Sequence, residues 1–183
     1  MRLFVAADLS DEQRTELKSR VSEARAAAPF DYIRWLPEEN WHATLAFMGD
    51  RSEDEVAKVI AAVGKCWENA GRLEVAPGRI QCFPTRKAPR LLALKGEPNA
   101  ALSELHFHLG KALETGDKGR GFVFHVSVAR FREQLGDAAT ELNAAIRELH
   151  SFESVSWPIR SISLYESQLS QAGATYRALH CWS

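Results

Sequence analysis

Two short segments of the sequence place a histidine two residues before a hydroxyl side chain. His42 is followed by Thr44 in WHATLAF, and His125 is followed by Ser127 in FHVSVARF. Both segments have the residue alternation of a β-strand, in which every second side chain lies on the same face. Each strand is therefore predicted to present one imidazole and one hydroxyl on one face and to pack its opposite, apolar face in a core.

This pattern allows two interpretations. If the strands face each other across a cleft, one imidazole can act as a general base and the other as a general acid, because histidine exchanges protons near neutral pH. The two hydroxyls can then donate hydrogen bonds to oxygen atoms on which negative charge builds up. If the strands lie apart, both histidines are residues at the edge of a core whose hydrogen bonds are satisfied locally.

The elements around the two histidines repeat in order. A helix, a loop and a strand with His-x-(Ser/Thr)-x occur at residues 11–48 and again at 99–130. A duplication of this kind implies two lobes related by an approximate twofold axis. We therefore predict an α+β fold with largely antiparallel sheets, flanking helices and an active-site cleft between the lobes.

Hydrophobic periodicity and turn residues predict the individual elements. Apolar residues at helical spacing predict helices that begin at Asp11 and Ser52, and two further helices over 102–113 and 138–149. Short apolar or alternating runs predict strands over 2–8, 32–36, 41–49, 73–83, 91–96, 122–131, 154–167 and 175–182. No linker separates these elements, so we expect one domain over residues 1–183.

The composition limits the class of protein. The 183 residues are 45% hydrophobic and 26% charged with a net charge of −1, so any contact with a polyanion must be local. Cys66, Cys82 and Cys181 are odd in number and widely spaced, which indicates neither a disulfide framework nor a zinc site. The unpaired cysteines suit a reducing cytosol, and the chain shows no signal-peptide pattern and no run long enough to span a membrane, so we expect a cytoplasmic protein. We also expect no cofactor.

The segments that carry the histidines resemble a known family. RLFVAADLS, IRWLPEENWHATLAFMGD, FHVSVARF and SLYESQLSQAGATYRALHCW are similar to segments of the RNA 2′,3′-cyclic phosphodiesterases (2′-5′ RNA ligase-like) of the two-histidine phosphoesterase superfamily. The resemblance runs from the first strand to the last. The paired H-x-(S/T)-x motifs are its most specific element.

The resemblance implies an activity. The chain would open 2′,3′-cyclic phosphates on RNA ends to 2′-phosphomonoesters without a metal, and the reverse reaction could join RNA ends through 2′-5′ bonds. Base and acid must then lie on opposite sides of the phosphate. The resemblance assigns the base to His125 and the acid to His42, which the residues themselves leave open. Thr44 and Ser127 are predicted to donate to the non-bridging phosphate oxygens.

Three further residues are candidates for substrate binding. Arg130 could clamp the phosphate, and the family has arginine there, but strict alternation places it on the face opposite His125. Phe47 and Tyr165 are candidates for stacking on a base, although alternation places Phe47 in the core. Basic loop residues that could form a rim for RNA, although exposed loop charges need no such role, are Arg86, Lys87, Arg90, Lys118 and Arg120.

Two other classes of function stay open. A non-catalytic RNA-end binding module would hold a phosphate without turnover, and a metallohydrolase would use the histidines as ligands. Asp and Glu are absent from both predicted strand faces, which disfavours metal ligation. Within the enzyme class, the alternative substrates are small nucleotide cyclic phosphates or 2′,5′-linked oligonucleotides. We expect no membrane and no obligate protein partner, hence a monomer.

Overall fold

The computed structural model describes residues 1–115, 121–152, 154–170 and 173–183. The strands are β1 (Arg2–Ala7), β2 (Ile33–Trp35), β3 (Ala43–Asp50), β4 (Glu74–Phe83), β5 (Leu91–Pro98), β6 (His125–Phe131), β7 (Trp157–Pro158), β8 (Ile162–Ser170) and β9 (Gly173–Trp182). The α-helices are α1 (Asp11–Ala27), α2 (Val56–Glu68), α3 (Ala100–Ala112) and α4 (Ala138–Ile146). Among these residues, no helix is long and apolar enough to cross a lipid bilayer.

The strands form two antiparallel sheets. One sheet has the order β3-β1-β8-β9, and the other has the order β2-β6-β5-β4-β7. The chain passes from one sheet to the other after β1, β2, β3 and β7. The predicted α+β fold with two lobes is therefore confirmed, and each sheet contains one of the two histidine strands.

Helix α1 begins where the sequence predicts. The Ser10 hydroxyl accepts a hydrogen bond from the Gln13 N–H at 3.3 Å, and the Gln13 side chain accepts one from the Ser10 N–H at 3.0 Å. This reciprocal capping box satisfies two backbone donors at the helix start. The buried face of the helix carries Leu17, Val21 and Ala24. Although α1 follows β1 in the chain, it packs against β4 and α4 of the other lobe.

Helix α3 supports the first histidine strand from behind. The Asn99 side chain caps it by accepting a hydrogen bond from the Leu102 N–H at 2.9 Å. The buried side chains of the helix are Leu102, Leu105 and Leu109. The helix packs against α2 and against β3, so this apolar face fixes the position of the strand that carries the first motif.

The predicted strand over 154–167 is in fact two strands in different sheets. Trp157 pairs with Val75 of β4, whereas Ile162 and the residues after it pair with β1 and β9. Proline has no N–H to donate, so Pro158 is poorly suited to extend a ladder. The chain leaves the five-stranded sheet after Pro158 and enters the four-stranded sheet at Ile162, with three residues between the two strands.

Candidate active site

The two histidine strands meet at one cavity between the sheets. The cavity has a volume of about 560 Å³, and residues from both lobes line it. The residues predicted from the sequence that line it are His42, Thr44, Phe47, His125, Ser127 and Arg130. The structure therefore brings the two imidazoles and the two hydroxyls to a common space, as the interpretation of a shared cleft requires.

The His42 ring is oriented by the backbone just before it. His42 lies one residue ahead of β3, and its Nδ1 lies 2.8 Å from the Asn40 carbonyl oxygen. A carbonyl oxygen can only accept a hydrogen bond, so Nδ1 carries the proton and Nε2 of the neutral ring is free to accept one. The Asn40 side-chain amide donates a hydrogen bond to the carbonyl of Ala174 at 3.1 Å. Ala174 lies in β9, the strand at the opposite edge of the sheet from β3.

The His125 ring is oriented in the same way. Its Nδ1 lies 3.0 Å from the carbonyl oxygen of Val123, which again precedes the histidine by two residues. The ring stacks on Phe83, with 4.3 Å between ring centroids and 16° between ring planes. Both imidazoles thus present the same nitrogen, Nε2, for proton transfer.

Aromatic side chains enclose His42. Its ring centroid lies 5.0 Å from that of Phe4 and 5.0 Å from that of Tyr176, which stands at 90° to it. This burial lowers the pKa of His42 to about 4, although the hydrogen bond to the Asn40 carbonyl and the negative charge of Asp8 act in the opposite direction. His42 is consequently neutral at pH 7 in the free protein.

A β-bulge follows each histidine at the same offset. Between β1 and β3, Ala6 pairs with Thr44 and Val5 with Ala46, so Leu45 is the extra residue. Between β5 and β6, the register shifts in the same way and Val128 is the extra residue. Both extra residues are the third after their histidine. A bulge of one residue reverses which side chains face the cavity beyond it.

The bulges change the position of two predicted site residues. Phe47 was expected in the core by alternation, which is wrong, because its side chain is 48% exposed and lines the cavity. Arg130 was expected on the face opposite His125, and the bulge at Val128 instead turns it toward the same cavity. The bulge in β3 is also held from outside the sheet, because His106 Nδ1 lies 2.7 Å from the Leu45 carbonyl oxygen.

Tyr165 does not line the cavity. Its hydroxyl donates a hydrogen bond to Asp8 at 2.7 Å, and its ring stacks on Phe4 at a centroid distance of 5.3 Å. Burial and this hydrogen bond raise the pKa of Tyr165 to about 12. The Asp8 carboxylate also accepts from Ser163 at 2.7 Å. Tyr165 thus packs behind His42, so we do not propose it as a base-stacking residue.

Several residues of the cavity wall have no counterpart in the sequence prediction. They are Arg2, Phe4, Arg34, Leu36, Asn40, Leu91, Ser167, Gly173, Ala174 and Tyr176. Most of them come from β1, β2 and β9, which belong to neither motif. The only sequence feature that could have indicated Tyr176 is its position as an aromatic residue on the last strand. The sequence analysis selected Tyr165, on the preceding strand, instead.

The wall of the cavity is basic. Three arginines line it, and within the described ranges no aspartate or glutamate does. The Arg2 guanidinium also lies over the Phe47 ring, 5.1 Å from its centroid. Of the basic loop residues suggested as a rim, Lys118 and Arg120 lie outside the described residues. In the part of the chain that the structure describes, no three His, Cys, Asp or Glu side chains form a group that could hold a metal ion.

Comparison with known proteins gives a family for the first half of the chain. Residues 8–93 match the sequence model of the family described as LigT like Phosphoesterase. An RNA 2′,3′-cyclic phosphodiesterase of Methanothermobacter thermautotrophicus is 27% identical over 179 residues, which cover 96% of this chain and 95% of that protein. The RNA 2′,3′-cyclic phosphodiesterase of Thermus thermophilus is 28% identical over 199 residues, which cover 100% of this chain and 90% of that protein.

One relative is longer. The chain matches an RNA 2′,3′-cyclic phosphodiesterase of Geobacillus stearothermophilus at 27% identity, but it spans about half of that protein, 52%. Among solved structures, E. coli LigT in its apo form has a TM-score of 0.72 at 22% identity and covers 99% of this chain, with 95% of its own chain covered. E. coli LigT in complex with 3′-AMP has a TM-score of 0.71 at 20% identity with the same coverage. At these identities the likeness shows the fold.

Proposed function

From the match of residues 8–93 to the LigT-like phosphoesterase family, we propose that the chain is a phosphoesterase of this kind and that it hydrolyses 2′,3′-cyclic phosphate ends of RNA to 2′-phosphomonoesters. The observation that carries the proposal is the meeting of two imidazoles and two hydroxyls from separate sheets at one basic cavity. The RNA 2′,3′-cyclic phosphodiesterases among the relatives support the substrate class.

The proposed reaction uses the two histidines as its proton-transfer pair. Water attacks phosphorus while one neutral imidazole takes its proton at Nε2, and the other, protonated imidazole gives a proton to the departing 3′ oxygen. Thr44 and Ser127 donate to the non-bridging oxygens as charge builds up on them. Arg130 supplies positive charge for the phosphate groups of the substrate through its planar guanidinium. No step calls for a metal ion, and the reverse direction would give 2′-5′ ligation of RNA ends.

The roles of the two histidines depend on the charge of His42. The resemblance makes His42 the acid and His125 the base. Burial lowers the pKa of His42 to about 4 in the free protein, so this assignment requires His42 to take up a proton from solvent when the anionic phosphate binds beside it and raises its pKa. The swapped assignment, with His42 as base, needs no such change. Titration of His42 with and without bound phosphate separates the two.

The second candidate substrate is a small nucleotide cyclic phosphate. A cavity of about 560 Å³ has the size of a site for a small ligand, and an E. coli relative of the same fold was solved with 3′-AMP. The two candidates share one chemistry and differ in the length of the chain attached to the cyclic phosphate.

We propose that residues 1–183 form one catalytic unit, because both sheets contribute to the cavity. We place this unit in the cytoplasm and expect it to act as a monomer. The three cysteines are free thiols, which suits a reducing compartment.

Product analysis tests the proposal. An RNA with a 2′,3′-cyclic phosphate end is incubated, in the presence of a chelator, with the wild-type protein, His42→Ala and His125→Ala. Of these three proteins, we expect only the wild type to form a 2′-phosphate product. His108→Ala, which removes an exposed histidine of α3, is the matched control and retains activity.

Three results would contradict parts of this proposal. A 3′-phosphate product would reverse the identity of the leaving oxygen. Activity lost with chelator and restored by a metal would replace the metal-free mechanism. Binding of the RNA end without product would make the chain a binding module.

A further inference from the structure

Two arginines of neighbouring strands lie directly opposite each other at the cavity. Arg34 of β2 is the register partner of Arg130 of β6, and both line the cavity. Like charges in opposed positions on adjacent strands repel each other. Within the described residues, no ion pair joins either guanidinium to a carboxylate. An arrangement of this kind is stabilised when an anion binds between the two side chains.

The position of this pair differs from that of the reacting phosphate. Arg130 is the third residue after Ser127, so its Cα lies roughly 7–10 Å farther along the strand, at about 3.3 Å per residue with one residue in a bulge. Arg34 lies one strand farther from His125 again. The backbone of the pair is therefore displaced from that of Ser127, the residue predicted to contact the reacting phosphate, by a step comparable to that between successive phosphates of a nucleic acid strand.

The surroundings of Arg34 hold its side chain at the boundary between the sheets. A Cβ atom at Gly173, the first residue of β9, would lie 3.6 Å from Arg34 Nη1, so the guanidinium runs close to that backbone. The Asn40 amide donates to the next residue, Ala174, and fixes this part of β9. With Arg2 on the same wall, three cations line one cavity of a protein whose net charge is −1.

We propose that Arg34, together with Arg130, binds a second phosphate group of the substrate, the one on the 5′ side of the nucleotide that carries the cyclic phosphate. This inference rests on the cyclic phosphodiesterase function proposed above. It makes the preferred substrate a ligand with two phosphates. The second phosphate is either the internucleotide phosphate of an RNA strand or the 5′-phosphate of a mononucleotide.

A substrate series measures the contribution of the second phosphate. The three substrates are a nucleoside 2′,3′-cyclic phosphate, its 5′-phosphorylated form, and a dinucleotide that ends in a 2′,3′-cyclic phosphate. We expect the wild type to have a kcat/KM about tenfold higher for the two substrates with a second phosphate, through a lower KM. In Arg34→Gln this preference falls to about twofold or less. A preference for the dinucleotide alone identifies the internucleotide phosphate as the source.

Arg147→Gln is the matched control, because Arg147 is an exposed arginine that pairs with Glu148 and does not line the cavity. It keeps the preference of the wild type. The inference is overturned if Arg34→Gln lowers kcat/KM by the same factor for all three substrates, or if the wild type shows no preference. Thermal unfolding of each variant shows that a lost preference is not a loss of folding.

A binding measurement keeps this inference separate from the proposed function. Nucleoside 2′-monophosphate and nucleoside 2′,5′-bisphosphate are titrated into each protein by calorimetry. If no substrate of the series is turned over, the proposed function fails. The subsite is still supported if the wild type binds the bisphosphate about tenfold more tightly and Arg34→Gln does not. Equal affinity of the wild type for both ligands overturns the subsite whatever the activity.

Discussion

The two histidine strands share a backbone geometry and differ in what surrounds it. In both, the histidine Nδ1 bonds to the carbonyl two residues earlier, and a bulge follows three residues later. Yet Phe4 and Tyr176 enclose His42, whereas His125 stacks on Phe83 at a cavity rim. The same local frame therefore holds a shielded imidazole in one sheet and a more accessible one in the other.

The difference extends to the fifth residue after each histidine. In the first strand the bulge turns Phe47 toward the cavity, and in the second it turns Arg130 toward it. One side of the cleft thus offers an apolar ring and the other a cation. A duplicated backbone pattern can supply two chemically unequal halves of one reaction, because the side chains around it are free to differ.

The largest expected effect comes from removing either imidazole. His42→Ala and His125→Ala should each lower kcat at least about 1000-fold on a nucleoside 2′,3′-cyclic phosphate, because proton transfer contributes roughly 10²–10⁴-fold. The double variant should be little worse than either single variant, since the two groups act as one unit. Steady-state kinetics measures this. A single variant that retains a tenth of the wild-type kcat would show that the two strands are not a catalytic pair.

The second largest effect is expected from removing either hydroxyl, Thr44 in the first histidine strand or Ser127 in the second. Thr44→Val and Ser127→Ala should each lower kcat about 100-fold with little change in KM, because the hydrogen bonds strengthen as charge develops on the phosphate. Thr44→Ser and Ser127→Thr keep the donor and serve as controls. A rise in KM at constant kcat would instead make the hydroxyls ground-state binding groups.

The shielding of His42 predicts a loss of stability in acid. The pKa of His42 is about 4 in the folded protein and 6.5 for an unperturbed histidine. Between these two pH values the unfolded chain binds a proton at His42 and the folded protein does not. The free energy of unfolding should therefore fall by about 2–3 kcal/mol from this group as pH drops from 7 to 4. Urea unfolding of wild type and His42→Gln measures the difference.

NMR titration of the His42 ring checks the same prediction directly. We expect its midpoint near pH 4 in the free protein. A midpoint near 6.5 would contradict the effect of burial on the His42 ring. A midpoint that rises on addition of inorganic phosphate would support His42 as the acid, and one that stays low would support it as the base.

The smallest expected effect concerns Phe47. If its ring stacks on a base, Phe47→Ala should raise KM for an RNA substrate about fivefold, at the lower end of the range for base stacking, and leave kcat nearly unchanged. Phe107→Ala is the control, because Phe107 is 67% exposed on α3 and lies outside the cavity. An unchanged KM would show that Phe47 does not stack on a base and that its ring contacts only the Arg2 guanidinium at the cavity.

Local sequence patterns predicted most of the fold. The cap at Ser10 and the leucines of α3 follow from helix periodicity, and the two histidine strands follow from alternation. The split of residues 154–167 could not be read locally, because it depends on which sheet each half pairs with. The pairing of Trp157 with β4 and of Ile162 with β1 is decided by distant parts of the chain.

The sequence predicted those site residues whose orientation follows from the alternation of side chains along a single strand. His42, Thr44, His125 and Ser127 precede the bulges, so alternation holds for them. Residues beyond the bulges depend on register against β1 and β5, which sequence alternation does not contain. Tyr176 and Arg34 reach the cavity only through the tertiary packing of β9 and β2, and neither residue belongs to a sequence motif.

The four passages of the chain between the sheets limit how the cleft can move. A hinge that opened one lobe against the other would have to bend all four connections together, including the three residues between β7 and β8. We expect the gap between the imidazoles to keep its width with and without ligand. Selection would then act through fit to a preformed space, and an over-wide phosphate ester would be rejected rather than accommodated.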